Sequence, residues 1–278
     1  MNKIDFMGII VVDGANPNGD PTNSNMPRQD YFGYGEISDV CIKRKIRNYL
    51  MLTGHDIFVQ TPDLRIDDCS SMQDRQKKFL DPKKEKDESV LKKVYCKKWL
   101  DVRTFGQIFA YKGGESINIR GPVSITFATS VEPISVEMHQ IVKGENGVET
   151  DMKKGRDTMG MKYAVRKAAY VFHGGIHSQL ADLTGFSEED AEAIKTAILH
   201  MFEFDETSAR PAGTMELHRL YWWTHSGGRG SCSPARLFRS VEVSPSEAWP
   251  YYTATKTETI PHVKLDEYVA GELVGQDD

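Results

Sequence analysis

The sequence lacks any run of apolar residues approaching the roughly 20 that a membrane-spanning helix needs. Its first ten residues, MNKIDFMGII, also lack the pattern of a signal peptide, so we expect a soluble cytoplasmic protein with no membrane partner. The four cysteines form no C-x-x-C pair and match no histidine spacing, which argues against a zinc site or a disulfide framework. No phosphate-binding G-x-x-x-x-G-K-[ST] loop and no internal repeat is present. We therefore expect no metal and no cofactor.

What the sequence does have is enough apolar material for a packed core. Apolar residues make up 39% of the 278 residues and aromatic residues 10%, which suffices for one large domain with insertions. The net charge of −5 argues at first against a nucleic-acid partner. The charge is unevenly spread, however, because the segment from Asp74 to Lys98 holds ten cations and five acids. Since salt screens charges beyond about 8 Å, a polyanion can still bind locally.

The first half of the chain gives clear strand and helix signals. Residues 3–12 are almost wholly apolar and predict a strand that is covered on both faces. After a polar loop, Ser38 and Gly54 mark the start and stop of about four turns of helix. Residues 61–110 are Lys-rich and mostly helical in pattern, without strand alternation. They predict a helical insertion.

The second half predicts the remaining elements. Residues 116–134 are rich in β-branched residues and predict strand broken at Gly121 and Pro122. The turn-prone GENG that follows is typical of a protruding hairpin. KYAVRKAAYVFHGGIHSQLA favours a strand but also fits a helix, Ser187 starts a helix, and MELHRLYWWTHSG predicts the final strand. Without the insertions the order is βαββαβ, so we expect an α+β fold of the ferredoxin-like, RNA-recognition kind.

A polar loop follows the first strand directly. The thirteen residues NPNGDPTNSNMPR, from Asn16 to Arg28, contain four Asn and three Pro, which prevents a regular helix or strand ladder. Asn tolerates a left-handed backbone and offers both a donor and an acceptor, and Gly19 permits close backbone approach. The segment is therefore a shaped loop that is suited to gripping a sugar-phosphate chain.

The helix after this loop carries three crowded cations. Lys43, Arg44 and Arg47 fall within an arc of about 100°, apart from the apolar arc of Ile42, Ile46 and Tyr49. Like charges at this spacing destabilise a helix unless an anion lies against them. A phosphate track and a merely solvated basic face both remain open, and phosphate contacts would not read bases.

Other residues offer competing chemistry. His173 and His177 are spaced i, i+4, but two glycines lie between them and no glutamate follows the first. The loop carboxylates Asp13, Asp20 and Asp30 suit Mg²⁺ or a catalytic base, although loop aspartates usually cap turns. The aromatic stretch LYWWTHS suits base stacking, although core packing is the commoner use. We expect no catalytic residues.

Six stretches in order resemble one known family. They are NPNGDP, NMPR, SDVCIKRKIRNYL, DVRTFG, IRGPVSITFATSVEPI and TMGMKYAVRKAAYVFHGGIHSQLA, and the likeness runs to about Ser226. Together they resemble the backbone subunit of the type I-C CRISPR surveillance complex, Cascade. The resemblance implies a modified RNA-recognition palm with a helical finger insertion and a β-hairpin thumb. It also implies a non-catalytic protein whose copies stack head to tail along one CRISPR RNA.

The resemblance assigns boundaries, partners and contacts. The palm would comprise 1–60, 111–131 and 163–278, with fingers at 61–110 and the thumb at 132–162. Expected partners are CRISPR RNA, target DNA, copies of the chain, other Cascade subunits and a recruited helicase-nuclease. The fingers either touch DNA or form a solvated Lys-rich helix. The expected RNA-binding residues are Asn16, Asn18, Gly19, Asp20, Asn25, Arg28, Lys43, Arg44, Arg47, Arg120, Lys162, Arg166 and Lys167, with Met159 and Met161 as apolar wedges at a kink in the guide.

Two alternatives remain open. Related backbone subunits of type III complexes cleave bound RNA with an acidic loop residue, and Asp20 is the candidate here. A free-standing RNA-binding module would instead bind RNA as a monomer with a fixed short site.

Overall fold

The computed structural model describes residues 1–80, 87–110, 116–142 and 159–277. Within these ranges seven α-helices form: α1 (Asp39–Leu52), α2 (Met72–Phe79), α3 (Glu88–Lys98), α4 (Leu100–Phe105), α5 (Ser178–Thr184), α6 (Glu188–Leu199) and α7 (Pro234–Arg239). The strands are β1 (Ile4–Ala15), β2 (Gly19–Asp20), β3 (Met26–Pro27), β4 (Tyr34–Ile37), β5 (Gly106–Phe109), β6 (Ile117–Arg120), β7 (Val123–Ile125), β8 (Ala128–Pro133), β9 (Val136–Val142), β10 (Met159–Ile176), β11 (Met215–His225), β12 (Val241–Pro245), β13 (Tyr252–Lys256), β14 (Val263–Val269) and β15 (Glu272–Asp277). None of these helices is long and apolar enough to cross a lipid bilayer.

One antiparallel sheet of nine strands dominates the described residues, in the order β15-β14-β11-β1-β10-β8-β4, with β7 and β9 also paired to β10. Strand β1 lies at its centre because nearly every residue from Ile4 to Val12 is apolar and is buried. Phe6 and Ile10 face a core shared with α1 and α6, whereas Met7 and Ile9 face a second core shared with α7 and the β12–β13 hairpin. This confirms the predicted strand with both faces covered and the α+β class.

Paired glycines explain how the two central strands fit together. Gly8 of β1 lies opposite Phe172 of β10, and Gly174 lies opposite Phe6. A Cβ at either glycine would overlap the opposing aromatic ring, so each glycine makes room for a phenylalanine across the pair. The ambiguous stretch containing HGGIH is therefore a strand, and it continues into α5 only at Ser178.

The two predicted helices begin as their sequences indicate. The Ser38 hydroxyl accepts from the Cys41 N–H at the start of α1. Helix α6 begins with a reciprocal capping box between Ser187 and Asp190, with acids in its first turn. Both arrangements satisfy N–H groups that a helix start leaves without partners.

The prediction that β11 is the last strand is wrong. Strand β14 pairs with β11 and β15 pairs with β14, so the sheet continues through the tail. The tail escaped prediction because its buried residues are scattered singly among prolines and polar residues and give no clear period. Leu237, Val241, Tyr252, Ile260 and Leu265 nevertheless supply much of the second core. The sheet therefore contains more strands than the predicted βαββαβ order.

The insertion has its own core. Side chains from α3, α4, β5 and β6 surround Tyr95, Trp99 and Phe109. The hairpin of β5 and β6 crosses the predicted boundary between residues 110 and 111, so this unit contains strands as well as helices. Gly106 and Gly121 allow the backbones to approach closely where the unit joins the sheet, since a Cβ on Gly106 would lie 2.6 Å from the Gly121 N. The unit is therefore packed around its own aromatic residues.

A two-stranded arm extends from the sheet. Strand β9 pairs with the first residues of β10, from Val136 opposite Val165 to Val142 opposite Met159. Strand β1 pairs with β10 only as far as Val165, so the arm extends past the edge of the central strands. The predicted GENG turn and the rest of residues 143–158 lie outside the described residues.

Candidate nucleic-acid interface

The polar loop and helix α1 adjoin, as the sequence predicts. The Asn18 Oδ1 atom accepts a hydrogen bond from the Ser38 N–H at 2.9 Å, directly before the helix begins. The Cys41 Sγ atom lies 3.8 Å from the carbonyl oxygen of Pro17. These contacts hold the loop against the first turn of the helix.

The loop is shaped by its own polar groups. Strands β2 and β3 form a small hairpin within it, and the Asn16 Nδ2 group donates to the Asn25 carbonyl at 2.7 Å. Asn25 has φ +59°, a left-handed conformation that asparagine tolerates. A Cβ on Gly19 would lie 2.7 Å from the Asn25 Cγ atom, so only glycine fits there without a shift. The loop is therefore preformed, with residues 21–25 exposed at its tip.

Asp20 acts as a cap inside this loop. Its Oδ1 atom accepts from the Thr22 N–H at 3.1 Å and from the Thr22 hydroxyl at 2.8 Å. Arg28 lies 3.5 Å away on the same oxygen. The hydrogen bonds from Thr22, together with the Arg28 charge, lower the pKa of Asp20 below its usual value. Asp20 is thus an ionised turn-capping residue.

Two buried polar atoms of the loop have no hydrogen-bond partner in the described residues: Asn16 Oδ1 and Arg28 Nε. An unpartnered buried polar group costs free energy. A small rearrangement that gives either atom a hydrogen-bond partner would therefore stabilise the loop.

The outer face of α1 carries the three predicted cations in different states. Lys43 pairs with Asp39 at 2.9 Å, and the Arg47 Nε atom pairs with Asp101 at 3.0 Å. The Arg47 guanidinium also lies 5.0 Å from the centre of the Phe105 ring. Arg44 is exposed and makes no hydrogen bond or ion pair with any described residue. Asp39, Asp101 and the Phe105 ring thus offset much of the expected repulsion between the three cations. The charge of Arg44 is not offset by any described acid and is available to a ligand.

The inner face of α1 holds a cation that sequence reasoning missed. Lys45 is 1% exposed and pairs with Asp205, which also binds Arg210 at 2.7 Å. Burial lowers the pKa of Lys45, and the Asp205 charge acts against that lowering. The signal was present in the sequence: Lys45 is three residues after Ile42 and so lies on the apolar side of the helix.

The predicted contacts on β10 lie beside the base of the arm. Lys167 hydrogen-bonds Glu247, and Arg166 lies 3.8 Å from Glu137. Lys167 is the cross-strand partner of Asp13, three residues before the polar loop begins. The structure thus brings Lys167 close to the start of the loop.

The remaining predicted residues lie on the arm and in the insertion hairpin. Met161 is half exposed and Lys162 is partly exposed on the arm. Met159 is placed by its backbone, opposite Val142. Arg120 is exposed at the end of β6, in the insertion hairpin rather than in the central sheet.

The competing sites take structural roles. Asp13 accepts from the Tyr251 hydroxyl at 2.7 Å, and Asp30 accepts from the Phe32 and Tyr34 N–H groups. His173 packs on Phe238, and burial lowers its pKa. Across the described ranges no three His, Cys, Asp or Glu side chains cluster as a metal site would require.

The aromatic residues of β11 are core residues. Tyr221, Trp222 and Trp223 are each at most 3% exposed. The commoner interpretation, core packing, is therefore confirmed for LYWWTHS.

Comparison with known proteins identifies relatives. A family model described as CRISPR-associated protein Cas7 matches residues 2–266. A curated relative named CRISPR-associated protein Cas7, from Haloferax volcanii, is 23% identical over 258 residues, which cover 80% of this chain and 69% of the relative.

Solved structures that match the chain include subunits of three CRISPR-related or Cmr complexes. A chain of a "CRISPR RNA-guided surveillance complex, pre-nicking" has a TM-score of 0.49 at 12% identity, covering 80% of this chain and 78% of that chain. A chain of a "CRISPR RNA-guided surveillance complex" has a TM-score of 0.48 at 15% identity, covering 89% and 77%. A chain of the type III-B Cmr-beta complex bound to cognate target RNA has a TM-score of 0.43 at 12% identity, covering 79% and 60%.

Proposed function

Since the chain belongs to the family of CRISPR-associated Cas7 proteins, we propose that it binds CRISPR RNA as a backbone subunit of an RNA-guided surveillance complex. The observation that carries this proposal is the extent of the family match, from residue 2 to residue 266. That range includes the insertion, the arm, the polar loop and the central sheet as far as the first residues of β14. A likeness confined to the sheet alone would support only a fold.

The polar loop and the outer face of α1 grip the sugar-phosphate backbone of the guide. Arg44 supplies a guanidinium that no described acid neutralises, and the preformed loop adds Asn side chains and close backbone approach at Gly19. Arginine makes bidentate contacts with phosphate without reading bases. Held in this way, the guide keeps its base edges free for pairing with a target strand.

The arm and the insertion take the thumb and finger roles in this proposal. The palm comprises 1–60, 111–131 and 163–278, the fingers 61–110 and the thumb 132–162, with the β5–β6 hairpin added to the fingers because it shares their core. Met159 and Met161, at the start of the long strand β10, are the proposed wedges at a kink in the guide. Arg120, Lys162, Arg166 and Lys167 are further proposed contacts.

The complex that we propose is a type I-C Cascade, on the resemblance of the stretches from NPNGDP to the start of α5. Several copies would lie head to tail along one guide, together with other subunits, target DNA and a helicase-nuclease. Repetition makes modest affinity sufficient, because neighbouring subunits on one strand act multivalently. A head-to-tail contact joins two different surfaces of the chain.

We propose that the chain itself is not a nuclease. Asp20, the candidate for type III-like cleavage, is engaged by Thr22 and by Arg28, which is the geometry of a turn cap. If Asp20 were catalytic, Mg²⁺ would produce regularly spaced cuts in bound RNA, and Asp20→Ala would abolish them. We expect intact RNA with and without Mg²⁺.

The grip is tested by removing Lys43 and Arg44 together. Lys43→Ala with Arg44→Ala is expected to weaken binding equally for unrelated single-stranded RNA sequences. The slope of log affinity against log salt should become shallower by about 0.7 for each phosphate that the variant no longer neutralises. Electrophoretic mobility shift at several salt concentrations measures both quantities.

The matched control is Arg229→Ala. Arg229 is also exposed and without an ion pair in the described residues, but it follows β11 near Lys3, at the opposite end of β1 from the polar loop. It should leave both affinity and slope unchanged. A loss restricted to particular RNA sequences, or an equal loss in Arg229→Ala, would contradict the proposed grip.

A further inference from the structure

One tryptophan differs from the other three in its surroundings. Trp99, Trp222 and Trp223 are each at most 3% exposed, whereas Trp249 is 52% exposed. Trp249 lies on the loop between β12 and β13, in the tail beyond Ser226 where the likeness of the six sequence stretches ends. A single exposed apolar residue is common on protein surfaces, so the case for a binding role rests on how the loop holds this indole and on what lies beside it.

The loop that carries Trp249 is fixed to the central sheet. The Tyr251 hydroxyl donates to Asp13 at 2.7 Å, which ties the loop to the end of β1. The Tyr251 N–H donates to the Ala248 carbonyl at 2.7 Å, and the Ser246 N–H donates to the Tyr251 carbonyl at 3.1 Å. Tyr251 adopts φ +69°, which is uncommon for any residue other than glycine. The indole is thus presented from a closed turn and not from a free chain.

The rings around Trp249 leave it able to stack. Tyr251 lies 5.5 Å from it at an interplanar angle of 81°, and His218 lies 6.1 Å away at 88°. Both neighbours therefore meet the indole edge to face, and neither is stacked parallel to it. Half of Trp249 is exposed as well, so part of the indole surface is open to a further ring.

A cation stands beside this aromatic pair. The Lys167 ammonium lies 5.8 Å from the centre of the Tyr251 ring and hydrogen-bonds the exposed Glu247 carboxylate. Lys167 is also the cross-strand partner of Asp13, three residues before the polar loop. The aromatic pair and this lysine therefore adjoin the loop that we propose to grip RNA.

We propose that Trp249, with Lys167 beside it, is a stacking site for one unstacked base of a single-stranded RNA. The site rests on the proposed function and extends it, since it adds a base-face contact to a grip made of phosphate contacts. Stacking tolerates every base because each has a π face, so the site would not compromise the guide's sequence freedom. Lys167 would exchange Glu247 for the phosphate that accompanies the stacked base.

An RNA base suits this site better than a protein partner does. Protein interfaces have a core of several apolar residues at their centre. The exposed residues flanking Trp249 along the chain are Pro245, Glu247, Ala248 and Thr253, so the indole is the one large exposed apolar group of this described loop. A single exposed ring with one cation matches a nucleotide, which offers one flat base and one charged phosphate.

The test uses the natural placement of the tryptophans. Acrylamide quenches exposed tryptophan, and Trp249 is the most exposed of the four, so quenching of the full-length protein reports mainly on this residue. Oligoadenylate RNA is expected to reduce the fraction of tryptophan fluorescence that acrylamide quenches. The RNA concentration that gives half of this protection should equal the concentration that gives half-maximal binding. Trp249→Leu should lower RNA affinity on the order of ten-fold, whereas Trp249→Phe, which keeps a ring, should recover most of that loss.

Two further variants separate this site from the grip. In Lys43→Ala with Arg44→Ala, half protection of Trp249 from acrylamide should require a higher RNA concentration. Full protection should still be reached at saturating RNA. Glu247→Gln, which frees Lys167, should raise affinity and steepen the salt dependence.

The outcomes are distinguishable. If Lys43→Ala with Arg44→Ala weakens RNA binding but Trp249→Leu binds like the wild type, the stacking proposal is wrong and the proposed phosphate contacts of the loop and α1 are supported. If Trp249→Leu spares RNA binding but abolishes self-association, the indole is a protein contact and the proposal is overturned. If the wild-type protein binds no RNA, the proposed function fails and the stacking site fails with it.

Discussion

The two faces of helix α1 carry adjacent cations with opposite surroundings. Lys45 points inward, is almost fully buried and shares Asp205 with Arg210, whereas Arg44 points outward, is exposed and has no described ion partner. The two residues are indistinguishable by charge and by helix propensity. What separates their roles is the partner that the fold supplies, so positive charge on this helix divides into a structural part and a part free for ligands.

Lys43 and Arg47 stand between these extremes. Each is partly exposed and paired with an acid, Lys43 with Asp39 and Arg47 with Asp101. The Lys43–Asp39 pair is partly exposed, and such pairs contribute little to stability, so a phosphate competes readily for Lys43. Asp101 is buried, so its pair holds Arg47 more firmly. The comparison therefore predicts that inner-face changes alter stability, outer-face changes alter RNA affinity, and loop changes alter both.

The largest expected effect comes from the inner face. Asp205→Ala leaves the Lys45 charge buried without its acid and should lower the free energy of unfolding by about 3–5 kcal/mol. Denaturant unfolding at neutral pH measures the change. The RNA affinity of the folded protein should remain close to that of the wild type.

Asp182→Ala is the matched control, because Asp182 is exposed on α5 and has no hydrogen-bond or ion partner among the described residues. It should change stability by less than about 0.5 kcal/mol. Equal stability of the two variants would show that Lys45 does not depend on Asp205.

An intermediate effect is expected in the polar loop. Gly19→Ala forces a Cβ against the Asn25 side chain and distorts the hairpin of β2 and β3. Overpacking of this kind costs about 1–3 kcal/mol, and RNA affinity should fall as well, because the loop loses its preformed shape. Thermal unfolding and mobility shift on the same preparation measure both effects.

Gly275→Ala serves as the comparison for this variant. Its Cβ would meet only ordinary contacts at 3.8 Å, on the outer strand β15. We expect no loss of affinity from it. Unchanged RNA binding by Gly19→Ala, despite lower stability, would remove the loop from the interface.

The smallest effect is expected at Asp39, the acid on the outer face. Asp39→Asn frees Lys43 and should raise RNA affinity a few-fold, with a steeper salt dependence. It should cost about 0.3–1 kcal/mol of stability, because Asp39 also lies in the first turn of α1.

Glu188→Gln changes an exposed first-turn acid of α6 and controls for that helix effect. It should reproduce the loss of stability without the gain in affinity. A gain in both variants would indicate a general charge effect and not a freed Lys43.

The sequence predicted the parts of the fold that have strong local patterns. The apolar run of β1, the Ser38 start of α1 and the capping box at Ser187 each gave a local signal that the structure confirms. Strand β10 was ambiguous because its Ala and Lys content also fits a helix, and no local pattern reveals that its Gly174 makes room for Phe6 across the sheet. Likewise, β14 and β15 depend on pairing with β11, a contact between distant segments.

The candidate site was predictable in outline and not in detail. The polar loop and basic helix were adjacent in sequence and remain adjacent in space. The partners of the cations were not predictable, because Asp101 and Asp205 approach α1 only when the chain folds. Trp249 was overlooked for the same reason: three of four tryptophans are buried, and sequence alone does not tell which one is exposed.

The central claim is that copies of this chain line up on a guide RNA and hold it by its backbone. Sedimentation of the purified protein with a CRISPR-repeat-derived RNA, combined with nuclease footprinting at nucleotide resolution, tests it most directly. The account predicts large RNA-dependent particles, intact RNA in the presence of Mg²⁺, and exposed nucleotides at regular intervals. Monomers bound to short sites, or cuts that require Mg²⁺, would contradict it.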